Sequence, residues 1–248
     1  MQSNAGAKGC GAYMITQKAL DFLAENRFRN SKAWYDEHRR EYAEYVVEPL
    51  AALVCELTET MQSIDPAIVC SPKIGGSISR VRRDTRYSND KSMYRRNAWI
   101  VFGRKERLRE CLPSFYFDMS QEGFVYGCGY YWCSADTAQS VRELILDGDS
   151  AFDAAVRAYE KQSVFTFGGE SYKRRHYPDE VGARAEWLEK RSYDFHRYST
   201  DFDLLFSPDL GRRLAEDFKL LAPIYSFFLK ADSRRPHREA MRRESFEF

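Results

Sequence analysis

From Ser31 onward, apolar and aromatic residues recur at helical spacing. Trp34, His38, Tyr42, Tyr45, Val46, Leu50, Leu53, Val54, Leu57 and Met61 fall on one stripe and predict a helix of about eight turns. Pro49 lies inside the stripe and lacks a backbone donor, so the helix is expected to kink there or divide in two. A shorter helix precedes it, with Thr16 as cap and Ala19, Leu20, Phe22 and Leu23 as its apolar face. A second long stripe closes the chain. There Ser207, Pro208 and Asp209 offer a cap and a proline at the first helical position, ahead of Leu210, Leu214, Phe218, Leu221, Tyr225 and Leu229, with a bend expected at Pro223.

Between these stripes the period shortens. Ile78–Arg83 reads as a strand with Arg80 and Arg82 on one face, and the apolar run Asn97–Phe102 reads as a central strand. Ser114–Met119 and Phe124–Cys133 follow, joined by a short hairpin loop of Ser120, Gln121, Glu122 and Gly123. In the last strand Gly127 and Gly129 leave a gap on one face, to be filled by a packed helix or a ligand. Helices are expected at Thr137–Leu146 and Ser150–Lys161, hinged at Asp147, Gly148 and Asp149. Short strands are expected near Val164–Phe167, Tyr172–Arg175 and Tyr193–Tyr198, around a helix near Ala183–Lys190. The pattern predicts an α+β fold, an antiparallel sheet of four or more strands packed by long N- and C-terminal helices. Residues 1–12 and 231–248 are expected to be tails around one globular domain spanning 13–230.

Composition narrows the partners. A net charge of +1 over 248 residues argues against a protein that coats nucleic acid, since non-specific phosphate binding draws on a large positive field. There is no basic start followed by an apolar run and no membrane-length apolar stretch, so a cytoplasmic protein without a membrane partner is expected. The six cysteines are scattered without a CxxC, which argues against a disulfide framework or a metal site.

One segment breaks the charge balance. SRVRRDTRYSNDKSMYRR, residues 79–96, sets seven cations, Arg80, Arg82, Arg83, Arg86, Lys91, Arg95 and Arg96, against two acids. Guanidinium forks bind phosphate or carboxylate through paired N–H groups. The expected anion-binding set is therefore Arg80, Arg82, Arg83, Arg86, Ser88, Lys91, Tyr94 and Arg95, with Asp84 and Asp90 orienting the cations and Lys173 and Arg174 as a second basic segment. The alternative is an internal ion-pair network in which the arginines meet Asp36, Glu37, Glu41 or Glu44 of the long helix.

The blocks ALDFLAEN, NSKAWYDEHRREY, ISRVRRDTRYSNDKSMYRR, PSFYFDMS, GCGYYW, YKRRHYPDE and AEWLEKRSY resemble, in order and spacing, the domain of unknown function 2461 family, over residues 16–230. That resemblance implies a small, mostly bacterial protein, and it brings no established activity or catalytic residue. Its motif positions here are Arg80, Arg83, Asp84, Arg86, Tyr87, Ser88, Asp90, Lys91, Tyr94 and Arg95. The chain departs from the family pattern in the shorter KRRHYPDE segment and at Met93, where proline is common.

No HExxH, GxSxG, GxxxxGK[ST] or GxGxxG string is present, so no cofactor is expected. An enzyme reading would draw on Asp84, Asp90 or one of His38, His176 and His196, with a phosphorylated substrate; His38 reads as packing. A nucleic-acid module is a further alternative, from Arg and Lys interleaved with Tyr, and the near-neutral charge counts against it.

Overall fold

The protein is described by a computed structural model over residues 14–86, 88–105 and 112–234. The expected tail at 1–12, Tyr87, Cys10, Cys111 and residues 235–248 of the charged tail lie outside the described residues.

Five strands form one antiparallel sheet: β1 (Ala98–Phe102), β2 (Ser114–Ser120), β3 (Gly123–Gly129), β4 (Thr166–Gly168) and β5 (Asp194–Ser199), in the order β1-β2-β3-β5-β4. With the helices this is an α+β fold. Alternation sends Phe115, Phe117, Met119, Phe124, Tyr126, Cys128 and Phe195 to one face, where all are buried. Helices α9 (Leu210–Leu220) and α10 (Ala222–Ser233) cover that face. Phe218 packs on Phe115 and Tyr126 with ring centres 5.4 and 5.9 Å apart, and Tyr225 lies 5.0 Å from Phe115.

The long N-terminal stripe folds as helix, but its break is not at the proline. Helix α1 (Gln17–Arg29) is followed by α2 (Lys32–Glu37), α3 (Arg39–Tyr42), a π-helical turn at Ala43–Val47 and α4 (Glu48–Ile64). The π turn meets Pro49 directly. The Glu48 amide donates to the Ala43 carbonyl, and Val47 and Glu48 keep helical angles, so the wider turn leads into the proline, in the first turn of α4, with the backbone still helical. The interruption lies at His38 (φ −104°, ψ 17°), whose ring stacks on Trp34 at 4.1 Å and whose Nδ1 sits 2.7 Å from the Trp34 carbonyl.

Ile78–Arg83 is not a strand. It meets its neighbours at single rungs, Ile78 with Ile74 and Ile100, and Arg82 with Tyr94. Ser79 Oγ, rather than a ladder carbonyl, accepts the Trp99 amide at 3.1 Å. The chain then turns back on itself, with Arg83 N–H donating to Met93 O at 2.8 Å and Arg95 N–H to Val81 O at 2.9 Å. Tyr172–Arg175 is likewise no strand: the one bridge here is at its flank, Ser171 with Lys190, beside a single bond from the Tyr172 amide to the Glu189 carbonyl at 2.9 Å. Strand β3 ends at Gly129, short of Cys133, and beyond it Tyr131 and Trp132 are exposed.

In the C-terminal stripe, Ser207 Oγ accepts the Asp209 amide, and α9 begins after it at Leu210. Pro223 opens α10 instead of bending α9. Helix α10 also takes in the first residues of the expected tail, Ala231 and Asp232, both buried. Helices α5 (Ala135–Leu146), α6 (Ser150–Glu160), α7 (Gly182–Leu188) and the short α8 (Phe202–Leu205) complete the chain; α8 has no counterpart in the sequence pattern. No described helix is long and apolar enough to cross a membrane.

Candidate functional site

The charged segment is a loop tied down by one carboxylate. Asp90 Oδ2 lies 2.5 Å from both Arg27 of α1 and Arg83, while its Oδ1 accepts the Ser92 amide at 3.0 Å and the Ser92 hydroxyl at 2.6 Å. These contacts, the Ser92 hydroxyl first and Arg27 next, hold the Asp90 carboxyl far below the usual range. Arg83 also donates to Ser88 Oγ at 3.2 Å, and Arg27 to the Tyr94 carbonyl at 2.8 Å. Asn30, the left-handed cap of α1 (φ 47°), accepts the Met93 amide at 2.7 Å. The end of α1 thus grips the second limb of the loop, and Asp90 passes that hold to the first limb through Arg83.

Other cations of the segment are also engaged. Arg86 pairs with Asp84 at 2.6 Å, which pulls that carboxyl down to about 2. Lys91 donates to Thr85 O at 3.0 Å, and Arg96 pairs with Glu122 of the hairpin loop at 2.7 Å. Arg95 lies over the Trp99 ring at 4.4 Å and donates to the Arg80 carbonyl at 3.2 Å.

Arg80 and Arg82 behave differently. Among the described residues neither has a carboxylate within ion-pair distance; Arg82 meets only Met93 Sδ, at 4.0 Å. Both side chains line a cleft of about 400 Å³ between the loop and α2–α3, with Lys32 and Arg39 opposite and Tyr35, Tyr42 and Tyr94 as aromatic walls. Gly75 on one side takes a positive φ (+79°) that favours glycine, and a Cβ there would lie in ordinary contact with the Arg80 guanidinium, at 3.5 Å. The Tyr42 hydroxyl takes a hydrogen bond from the Val81 backbone, yet burial holds its proton on well above the usual phenol range.

The acid of the cleft is Asp36. It pairs with Lys32 and lies 3.8 Å from Arg39, and its carboxyl is lowered first by the Lys32 hydrogen bond, with smaller contributions from Arg39 and Arg82. Four cations therefore face one carboxylate. Of the helix acids named as ion-pair partners, Asp36 alone lines the cleft; Glu37, Glu41 and Glu44 do not.

The family model described as conserved hypothetical protein (DUF2461) matches residues 18–227. The chain belongs to this family. No curated protein matches it. In this DUF2461 chain the motif separates into two groups. Arg80, Arg82 and Tyr94 line the cleft, whereas Arg83, Arg86, Ser88, Lys91 and Arg95 are held within the loop or against the sheet. Lys173 and Arg174 sit in the exposed loop between β4 and α7 and do not line the cleft. The cleft also draws on Lys32, Arg39, Tyr35 and Tyr42, which the sequence does not mark as anion ligands; Lys32 and Arg39 read there as ordinary exposed positions of an amphipathic helix.

Asp118 on β2 is the other perturbed carboxyl beside this loop. Burial pushes it up to about 6, against the Asn97 amide, 2.6 Å away, and the charge of Arg95. A carboxyl whose folded pKa is raised costs stability above that value and nothing below its unfolded value of about 4. Stability should therefore decline between about pH 4 and the folded value of about 6 on this account. Asp118→Asn is expected to flatten that decline, read as urea midpoints across the window; an unchanged profile would remove Asp118 as its source.

Proposed function

We propose that this protein binds a small anionic molecule, carrying a phosphate or carboxylate group, in the cleft between α2–α3 and Arg80–Arg82. The observation that supports this is the pair Arg80 and Arg82, which line the cleft without a carboxylate partner among the described residues and face Lys32 and Arg39. Guanidinium groups that no internal carboxylate occupies keep their paired N–H groups available to a planar or tetrahedral oxyanion. The Asp90 network serves this reading from behind: it fixes the loop so that the Arg80–Arg82 segment is presented without rearrangement.

The loop acids do not support an acid–base enzyme built on the motif. Asp84 is held at about 2 and Asp90 lower still, the wrong direction for a proton carrier near neutral pH. A cleft of this size with Asp36 among its lining residues also suits a small ligand better than a nucleic-acid backbone.

Thermal unfolding in phosphate, sulfate and citrate tests the proposal. A ligand at a hundred times its Kd adds about 2.7 kcal/mol, which raises Tm by roughly 5–10 °C in a chain of this size. Arg80→Ala with Arg82→Ala is expected to abolish the rise while leaving the unliganded Tm near wild type. A rise of equal size in the double variant, or no rise in the wild type with any of the three anions, rejects the cleft as an anion site.

A further inference from the structure

The sheet face turned away from α9 and α10 carries a second group of polar side chains that the cleft does not use. Tyr116 on β2 and His196 on β5 stand on either side of β3, and the β3 residue in register with both is Gly127. With no side chain between them, the Tyr116 hydroxyl reaches across β3 and donates to Asp194 Oδ1 at 2.9 Å. The other Asp194 oxygen lies 2.9 Å from His196 Nδ1. From β4, Gly168 leaves space for the ring: a Cβ there would stand 2.7 Å from Cε1 and 2.9 Å from Nδ1.

The ring is oriented by this packing. Nδ1 is sealed from solvent and, although 2.9 Å from Asp194, does not meet hydrogen-bond geometry with it, whereas the His196 side chain as a whole is 35% exposed, so the edge bearing Nε2 is the one that meets solution and the carboxylate acts on Nδ1 through its charge. The contact with Asp194 favours a proton on Nδ1, which leaves the Nε2 lone pair free. Tyr116 occupies the second carboxylate oxygen and so fixes the plane of the carboxylate as well.

We propose that this face holds an acid–base site in which His196 accepts a proton through Nε2 from water, with Asp194 and Tyr116 as positioning residues. The substrate is uncharged, because Asp118 and Asp194 on the same face oppose an anion, and an ester is its class because attack of water on an ester needs only the proton acceptance and return that one imidazole supplies. The water O–H bond breaks and its proton joins Nε2. The oxygen bonds to the ester carbonyl carbon, the carbon–oxygen bond to the leaving alcohol breaks, and the imidazolium returns its proton to that oxygen. The Asp194 carboxylate offsets the imidazolium charge while it lasts.

Hydrolysis of p-nitrophenyl acetate by the full chain is the probe. His196→Ala is expected to lower the rate at least tenfold at unchanged Tm, since a positioned base contributes on the order of 10²–10⁴. Asp194→Asn gives a sharper readout. Tyr116 would still donate to the amide oxygen, so the NH₂ would face Nδ1 and force the ring proton onto Nε2. Imidazole nitrogen NMR should then show the wild type with its proton on Nδ1 and the variant with it on Nε2, and the hydrolysis rate should fall together with that switch, which a ring held only for packing would not show. A His196→Ala rate equal to wild type, or a wild-type rate no higher than that of free imidazole at equal concentration, overturns the proposal. Should His196→Ala fail to fold, a wild-type ring already protonated on Nε2 overturns it equally.

Discussion

Asp65→Ala should cost about 2–3 kcal/mol, the scale expected when a buried hydroxyl loses its acceptor and a partly exposed arginine its counter-charge. Asp65 closes α4, and its side chain is only 7% exposed. It accepts Arg104 Nε at 2.8 Å and the Tyr225 hydroxyl at 2.9 Å on one oxygen, and the Ala67 amide at 3.0 Å on the other. One carboxylate thus ties the N-terminal helical layer to the end of β1 and to α10. Alanine would leave the buried Tyr225 hydroxyl without its acceptor and Arg104 without its counter-charge, which is the costly half of an ion pair. Urea unfolding should show a lower midpoint at unchanged slope. A loss below about 1 kcal/mol would mean that the network contributes specificity and little stability.

The same residue gives a pH signature of opposite sign to that of Asp118. Burial alone would raise the Asp65 carboxyl, but the hydrogen bonds from Arg104, Ala67 and Tyr225 outweigh it and the net shift is downward. A lowered folded pKa contributes stability that is complete above the unfolded value and disappears as pH falls through the folded one. Asp65 therefore works against acid, while Asp118 favours it, and the two variants should change opposite limbs of the stability profile.

Which features could be read in the sequence follows from the range of the forces that set them. The stripe of α4 and the alternation of β2 and β3 are local periodicities, and the described elements follow them closely, whereas the apolar run of β1, read as a central strand, stands at the sheet edge, where single rungs from Ile78 and, at Gly103 just past its end, from Val69 meet it. The π turn that accommodates Pro49 and the break at His38 depend on a ring stacking on Trp34 and on backbone bonds that a pattern of apolar positions does not encode. At the cleft, the spacing of Arg80 and Arg82 puts both on one face, and in the fold both line one recess. Their companions Lys32 and Arg39 come from another element, and a cation on a helix looks the same in sequence whether it faces solvent or a cleft. The gap at Gly127 is visible in the sequence, but its occupant is not: the neighbouring strand's backbone fills it, and neither a helix nor a ligand is needed.

That close approach makes Gly127→Ala the second large effect. A Cβ at Gly127 would stand 1.9 Å from the Phe195 carbonyl oxygen and 2.9 Å from His196 Cα. Both are backbone atoms of β5, so no rotamer change can relieve the overlap, and β3 and β5 would have to part along the pairing that runs from Phe124–Ser199 to Gly129–Asp194. Overpacking usually costs about 1–3 kcal/mol where side chains can yield, and here the cost should reach about 3 kcal/mol or more because a sheet ladder must give instead. Val125→Ala, on the same strand and the same face but removing bulk, serves as the control and should cost about 1 kcal/mol. The separation of the strands should also carry Asp194 away from Tyr116, so the Gly127→Ala variant is expected to lose the Nδ1 protonation of His196 even where it remains folded. Unfolding midpoints within about 0.5 kcal/mol of wild type, together with an unaltered imidazole spectrum, would show that β3 and β5 can open without cost and that Gly127 does not set the geometry of this face.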